Sequence, residues 1–280
     1  MIRMPLYAPL TRICETLPVD QLTQAFTLGA RRELLLTPKP GLVDLLDNGS
    51  HDDLDLVVMQ RSIDLLPLYY YELLEVPLNA VDPQRLRAIG LRAEERMLEH
   101  CGTNTHRGYL FLSGVLLMAL RQARDLRSTI ARLSQTLFAV QATERTSHGE
   151  RCRQQYHCQG IIGECLQGMP ALFEHGLPCY RQYRAQGYDE CHAGLALMAR
   201  LMQVVDDTTC YHRGGAAGVE QVRRDGETLE RLIAADGDID LWLAQCNQRY
   251  REQNLTMGGI ADMIALTYAV DSLLQQEVSI

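Results

Sequence analysis

Apolar side chains recur along this chain at intervals of three and four residues, the spacing of one face of an α-helix. Leu86, Ile89, Ala93 and Met97 show it clearly. No segment sustains the two-residue alternation that is typical of a strand. The pattern therefore predicts an all-α protein, with helices near residues 20–36, 53–74, 83–99, 105–122, 125–142, 170–186, 188–206, 216–235, 239–252 and 258–274.

Helix-start signals agree with this pattern. Asp82 stands directly before Pro83, which is the combination of an N-cap residue and a proline at the first helical position. Asp20 precedes the apolar pattern of the first predicted helix in the same way. Because no long linker or internal repeat divides the chain, we predict a single multi-helix, bundle-like domain over residues 1–280, with its site in loops at the helix ends.

Composition limits the kinds of partner. The 27 basic and 35 acidic side chains give a net charge of −8, which argues against binding nucleic acid irrespective of sequence. The longest apolar stretch, Tyr109 to Leu120, is about half of the roughly 20 residues that a membrane span needs. The start of the sequence lacks the apolar core of a signal peptide, and the nine cysteines form no CxxC pair. We therefore expect reduced thiols, a cytoplasmic protein and neither a membrane nor a nucleic-acid partner, and the oligomeric state stays open.

Polar and glycine residues gather where one predicted helix ends and the next begins. Such residues are typical of sites in which loops carry function on a rigid scaffold. Five joints of this kind stand out, at residues 37–53, 101–108, 160–170, 206–215 and 254–262.

Several of these joints could bind phosphate. Glycine beside a helix start lets backbone N–H groups approach an anion, which the helix dipole also favours. Taken alone, each glycine is more typical of a helix cap. The candidate glycines are Gly108, Gly214, Gly215, Gly258 and Gly259, and the cations near them are Arg107 and Arg213. Lys39, the only lysine of the chain, lies between two prolines in another joint.

The acidic residues admit two interpretations. Asp206 and Asp207 are predicted to close an apolar helix, where the dipole disfavours a carboxylate. Mg²⁺ would compensate for this cost, and so would a structural ion pair with Arg213. Glu33 is either a site carboxylate or a solvated charge on its helix. His51 and His106, in glycine-flanked loops, are site residues or hydrogen-bonded packing residues.

Read together, the joints resemble the triphosphoribosyl-dephospho-coenzyme A synthase family, which serves citrate lyase and malonate decarboxylase. The resemblance covers roughly residues 25 to 270. It is most specific in Thr-Pro-Lys-Pro-Gly-Leu-Val-Asp at 37–44 with Gly-Ser-His at 49–51, and in Asn-Thr-His-Arg-Gly at 104–108. Gly-Glu at 163–164, Asp-Thr-Thr at 207–209 and Asn-Leu-Thr-Met-Gly-Gly-Ile-Ala-Asp at 254–262 complete it. Thr209 and Ile260 depart from the family's asparagine and serine.

The resemblance implies a transferase that moves the 5-triphosphoribosyl group of ATP to the 2′-hydroxyl of dephospho-coenzyme A and releases adenine. Its product would pass to the enzyme that matures the acyl-carrier subunit of the lyase or decarboxylase. Mg²⁺ is the expected companion of ATP. The implied catalytic residues are Glu33, Asp44, His106, Asp207 and Asp262. The implied binding residues are Lys39, Gly41, His51, Asn104, Arg107, Gly108, Arg213, Gly214, Gly215, Gly258 and Gly259, and the implied metal ligands are Glu33, Asp206 and Asp207.

Physical chemistry agrees with these roles. Breaking a ribosyl C–N bond develops positive charge on the sugar, which nearby carboxylates stabilise. Which carboxylate takes the hydroxyl proton stays open. So do two other functions: a metal-dependent ADP-ribosyl-type hydrolase, which the Asp-Asp-Thr run at 206–208 also suits, and a non-enzymatic carrier of a CoA-derived prosthetic group.

Overall fold

The computed structural model of the chain describes residue 10 and residues 17–122, 125–141, 152–153 and 155–276. These described residues form eleven α-helices and no strand, which confirms the predicted all-α class. The helices are α1 Val19–Leu35, α2 Leu56–Leu74, α3 Pro83–Cys101, α4 Arg107–Leu120, α5 Leu126–Gln141, α6 Gly160–Leu166, α7 Leu177–Ala185, α8 Glu190–Val204, α9 Thr208–Ala234, α10 Ile239–Glu252 and α11 Gly258–Gln276.

The central element is α11, which is buried along most of its length and packs against α1, α4, α7 and α8. A helix that is apolar all round belongs in the interior of a bundle. Gly29 of α1 permits the closest approach, because a Cβ atom there would collide with the carbonyl oxygen of Ala265 and with Ala269. The tight packing of α1 on α11 fixes the first motif joint relative to the last.

Aspartate side chains cap the starts of five of the described helices, one of them Asp207 at the start of α9. Asp55, Asp82, Asp189 and Asp238 each accept a hydrogen bond from a backbone N–H in the first turn of the helix that follows. Such caps typically stabilise a helix by about 1 kcal/mol. The predicted start at Asp82-Pro83 is therefore confirmed, whereas Asp20 lies inside the first turn of α1, whose N-cap is Pro18.

The predicted position of Asp207 at the end of a helix is wrong. Helix α8 ends at Val204, and Asp207 is the N-cap of α9, where its carboxylate accepts from the N–H groups of Thr209 and Cys210. The helix dipole therefore favours the negative charge of Asp207, and that charge needs no compensating cation. Within α9, Gly215 has φ 60° and ψ −161°, so that the helix breaks there. The predicted start at residue 216 coincides with this break.

Two segments differ further from the prediction. The short helix α6 was not expected, and residues 171–176 form a π-helical segment, Ala171–Gly176, before α7 where one continuous helix was expected. In the described residues, no helix combines the length and the apolar character that a membrane span requires.

Candidate active site

Direct contacts join the five motif joints. Ser50 and Asn254 both accept hydrogen bonds from Arg213, so that the first, fourth and fifth joints meet. Asp262 lies against Gly108, which adds the second joint. The third joint contacts the fourth through Asp206, whose carboxylate accepts hydrogen bonds from the N–H groups at the start of α6. Residues that are up to about 220 positions apart in the sequence thus form one site.

A buried ion pair links α1 to the first joint. The Nζ atom of Lys39 donates hydrogen bonds to the side chain of Glu33 and, over 2.6 Å, to its backbone oxygen. Lys39 is 1% exposed and Glu33 is 4% exposed, which excludes a solvated charge at either position. Burial raises the pKa of Glu33, Lys39 opposes that rise, and the charge of Asp44 adds to it. In this conformation, Lys39 is occupied by Glu33 and is not free to contact a phosphate.

The loop that follows is organised by Asp44. One carboxylate oxygen accepts from the backbone N–H of Lys39 at 2.7 Å, and the other accepts from those of Leu46 and Asp47. Gly41, with φ 71°, donates its N–H to Asn247 of α10 and packs closely against Leu255. Asp44 therefore holds the shape of the loop, with both oxygens engaged by backbone groups.

Asp207 joins α9 to the start of α11. Besides its capping bonds, it accepts the hydroxyl hydrogen of Thr209 at 2.6 Å and the N–H of Ile260 at 2.9 Å. The same Thr209 hydroxyl oxygen accepts the N–H of Gly258, and Gly259 packs against the carboxylate. Burial raises the pKa of Asp207, although these donors stabilise its charge. We find no Asp207–Arg213 pair, because the guanidinium of Arg213 bonds Ser50 and Asn254 instead.

Asp262 is the most perturbed carboxylate of the site. Burial raises its pKa well above the usual range, and the neighbouring charges of Asp207 and Glu33 raise it further. The backbone N–H of Tyr109, in the first turn of α4, opposes this effect. The side chain lies so close to Gly108 that a Cβ atom at 108 would collide with it. Unlike Glu33 and Asp207, residue 262 retains some exposed surface.

His106 is a buried, neutral imidazole. Its Nδ1 atom lies 2.7 Å from the hydroxyl oxygen of Ser62 and 2.8 Å from that of Thr105. Burial, followed by the charge of Lys39, lowers the pKa of His106 to about 4. The imidazole is therefore uncharged at neutral pH, and the two hydroxyl groups fix the orientation of the ring.

Two predicted binding residues of the second joint, Asn104 and Arg107, lie around Glu94 of α3. Its carboxylate accepts from the amide of Asn104 at 3.0 Å and pairs with the guanidinium of Arg107 at 3.2 Å. The amide oxygen of Asn104 is buried and has no hydrogen-bond partner among the described residues. Since an unpaired buried acceptor is costly, this atom is suited to receive a donor from a ligand.

His51 faces the fifth joint. Its Nε2 atom lies 3.0 Å from the hydroxyl oxygen of Thr256, and burial together with Arg213 lowers the pKa of His51. Gly214 of α9 packs against Leu255 in the same region, next to the break at Gly215.

The three predicted metal ligands do not form a metal site. Asp206 is directed at the start of α6 and lies 3.9 Å from Arg223, whereas Glu33 is paired with Lys39 and Asp207 caps α9. In the ranges that the structure describes, no three His, Cys, Asp or Glu side chains are grouped so as to bind a metal ion.

Sequence reasoning missed Ser62, Tyr109 and Thr256 as parts of this site. Ser62 is fully buried in α2, where the other buried residues are aliphatic or tyrosine, and a small polar residue on such a helix face is the signal that could have revealed it. The hydroxyl of Tyr109 donates to the backbone oxygen of Phe26, 83 residues away, a contact that no local pattern indicates.

The fold and the site define an α-helical protein in which carboxylates from the end of α1 and the starts of α9 and α11 lie close together. Residues 19–279 match the family described as ATP:dephospho-CoA triphosphoribosyl transferase, and the chain belongs to that family. It is therefore a transferase, as the sequence predicted.

Two relatives illustrate the similarity. A protein of Azotobacter vinelandii is 34% identical over 278 residues, which cover 92% of this chain and 94% of the relative. One of Streptococcus pyogenes serotype M49 is 32% identical over 269 residues, which cover 84% and 90%. Each is named a probable 2-(5''-triphosphoribosyl)-3'-dephosphocoenzyme-A synthase. No solved structure matches the chain.

Proposed function

We propose that this chain transfers the 5-triphosphoribosyl group of ATP to the 2′-hydroxyl of dephospho-coenzyme A at the cluster formed by Glu33, Asp207 and Asp262, the carboxylate cluster. The family match and the names of the relatives favour this transfer over an ADP-ribosyl-type hydrolase and over a non-enzymatic carrier of a CoA-derived prosthetic group. The observation that supports the location is the proximity of Asp207 and Glu33 to Asp262, because their charges add to burial in raising the pKa of Asp262.

The cluster suits both halves of the reaction. As adenine departs, the ribosyl carbon gains positive charge, and carboxylates in a site from which water is largely excluded stabilise it. The proton of the attacking hydroxyl ends on adenine. A carboxyl group with a strongly raised pKa can give its proton to the leaving ring and regain one from the acceptor hydroxyl. Asp262 is assigned this role because it combines the raised pKa with an accessible surface.

Charge–charge contacts for the phosphates come from the site's edge. Arg107, which pairs with Glu94 and precedes Gly108, is the cation proposed for the triphosphate of ATP. Arg213, which bonds Ser50 and Asn254, is the cation proposed for the phosphates of dephospho-coenzyme A. The predicted metal ligands do not fit Mg²⁺ as a set, so we propose that Mg²⁺ enters on the triphosphate and is held chiefly by phosphate oxygens and water. The remaining glycine joints, at 108, 214–215 and 258–259, shape the cleft around these groups.

Two further statements extend the proposal. The helices that build the site come from both ends of the sequence, which supports one domain over residues 1–280. A cytoplasmic location, where the product would be handed to the carrier-maturing enzyme, is proposed from the cysteine usage of the sequence.

Substitution of Asp262 tests the proposal. Asp262→Asn keeps the shape of the side chain and removes the proton that it exchanges, so we expect adenine release to slow by about 100-fold or more. The matched control is Asp271→Asn, a buried carboxyl of the same helix that bonds Gln275 away from the cluster. Adenine release should depend on dephospho-coenzyme A in the parent. Normal turnover of Asp262→Asn, or release without the acceptor, would contradict the proposal.

A further inference from the structure

An open cleft of about 1290 Å³ adjoins the first and fifth joints, and no residue role assigned above accounts for it. Its lining consists of residues 46–52 of the first joint and one face of α10, together with Pro38 and Asn254. It shares Ser50, His51 and Asn254 with the site. A ligand that reaches the cluster could therefore extend into this cleft.

The charges of the cleft exclude a triphosphate as its occupant. Four carboxylates line it, those of Asp47, Asp52, Asp240 and Glu252, against the single guanidinium of Arg251. That guanidinium lies 3.4 Å from the carboxylate of Asp47, which already offsets its charge. Because like charges repel strongly across a shared cavity, a polyanion is disfavoured here and a neutral group is not.

The hydrogen-bonding groups of the cleft are mostly acceptors. Besides the carboxylates, the side-chain amides of Asn48, Asn247 and Gln248 line it, and Leu46 and Ala244 add an apolar surface. Such a lining suits a ligand that carries amide N–H and hydroxyl donors together with alkyl groups.

A cation adjoins the cleft at two residues that the cleft shares with the site, Ser50 and Asn254. Arg213 donates to the backbone oxygen of Ser50, 3.4 Å away, and to the side chain of Asn254. The hydroxyl oxygen of Ser50, a residue more than nine-tenths buried, has no hydrogen-bond partner among the described residues. The part of the cleft beside Arg213 is therefore suited to a phosphate group, whereas the remainder of the cleft is not.

We propose that the cleft binds the pantetheine arm of dephospho-coenzyme A. The arm is neutral, carries two amide groups, a hydroxyl group and two methyl groups, and begins at a pyrophosphate. With that pyrophosphate at Arg213, the adenosine points to the carboxylate cluster and the arm runs along α10. This assignment rests on the proposed transfer reaction, but not on the role given to Asp262.

The test fills the cleft without touching the site. Ala244→Trp places a large ring in the cleft from an exposed position of α10. Gln245→Trp, on the same helix and also exposed but outside the cleft, is the matched control. We expect Ala244→Trp to raise KM for dephospho-coenzyme A by about tenfold or more and to leave KM for ATP within about twofold. The control should change neither value. Gln248→Trp, which also faces the cleft, should reproduce the effect.

Each other result overturns the assignment. If the cleft variants raise KM for ATP, either alone or as much as they raise KM for dephospho-coenzyme A, ATP occupies the cleft. Unchanged KM values for both substrates in two folded cleft variants would show that neither substrate occupies it. A parent protein that releases no adenine with dephospho-coenzyme A would contradict the proposed function itself, and so is distinguishable from a failure of the cleft alone.

Discussion

The ion pair between Glu33 and Lys39 is the residue-level contact on which the site most depends. Both side chains are buried, and the pair joins the last turn of α1 to the loop that carries Asp44. Two charges out of water are tolerated only when each satisfies the other. The sequence favoured a phosphate contact for Lys39, because a partner six residues away across the end of a helix produces no periodic signal.

Removing one partner should therefore destabilise the fold. We expect Lys39→Met to lower the free energy of unfolding by about 3–5 kcal/mol, since it leaves Glu33 buried without its partner. The double variant Glu33→Gln with Lys39→Met should recover much of that loss. Urea denaturation of the parent, the single variants and the double variant measures both effects. A Lys39→Met protein as stable as the parent would show that Lys39 is free for a ligand.

His106 makes stability depend on pH. Its pKa is lowered to about 4 in the folded protein, against about 6.5 when unfolded, so the unfolded state binds the extra proton first. The contribution of neutral His106 to the unfolding free energy is therefore complete above pH 6.5 and is lost as the pH falls toward 4. The loss should reach about 3 kcal/mol at most. His106→Gln, which does not titrate, should flatten that part of the profile. Urea denaturation between pH 4.5 and 7.5 measures the unfolding free energy of both proteins. If the two curves of unfolding free energy against pH run parallel, His106 does not cause the pH dependence.

At the scale of helices, the break in α9 depends on one glycine. Gly215 has φ 60° with an extended ψ, a region that is essentially restricted to glycine. Gly215→Ala should therefore lower the free energy of unfolding by about 1–3 kcal/mol. Gly90→Ala, within α3 where a new Cβ atom meets nothing, should instead stabilise by about 0.5–1 kcal/mol. Thermal unfolding of the two variants compares them directly, and equal shifts would show that the break carries no strain-related cost.

The helices themselves were largely predictable, because their apolar spacing and aspartate caps are local. The start at Pro83 and both ends of α10 agree with the sequence-based bounds. The segment at 206–209 was misassigned because an aspartate before two threonines signals a helix start as well as a loop, and the preceding apolar pattern dominated. Helix α6 was missed because it has only seven residues and begins at a glycine.

Across the whole molecule, the site depends on how closely α1 and α11 approach. These two helices carry Glu33 and Asp262, and Gly29 is the point where their backbones meet. Convergence of the joints was predictable from a family resemblance, whereas the partner of each side chain was not. Which of these acidic residues retains exposed surface is decided by three-dimensional packing, as the partly exposed Asp262 beside the buried Glu33 shows.

Widening this contact should affect stability and catalysis together. Gly29→Ala introduces a methyl group where the Ala265 carbonyl oxygen and Ala269 already lie, and we expect a loss of about 1–3 kcal/mol in unfolding free energy. Because the change separates Glu33 from Asp262, adenine release by the folded fraction should also fall. Gly90→Ala serves as the control for the added methyl group. Full activity in a destabilised Gly29→Ala protein would show that the carboxylate cluster tolerates movement of α1.

The burial of Lys39 has a practical consequence, since it is the only lysine in the sequence. Every other cationic side chain apart from histidine is an arginine, so the folded surface that the structure describes offers no lysine amine to acylating reagents. An N-hydroxysuccinimide ester can modify this side chain only when the loop opens or the chain unfolds. The rate of that modification, followed by mass spectrometry, would therefore report the opening of the active-site loop without any engineered label.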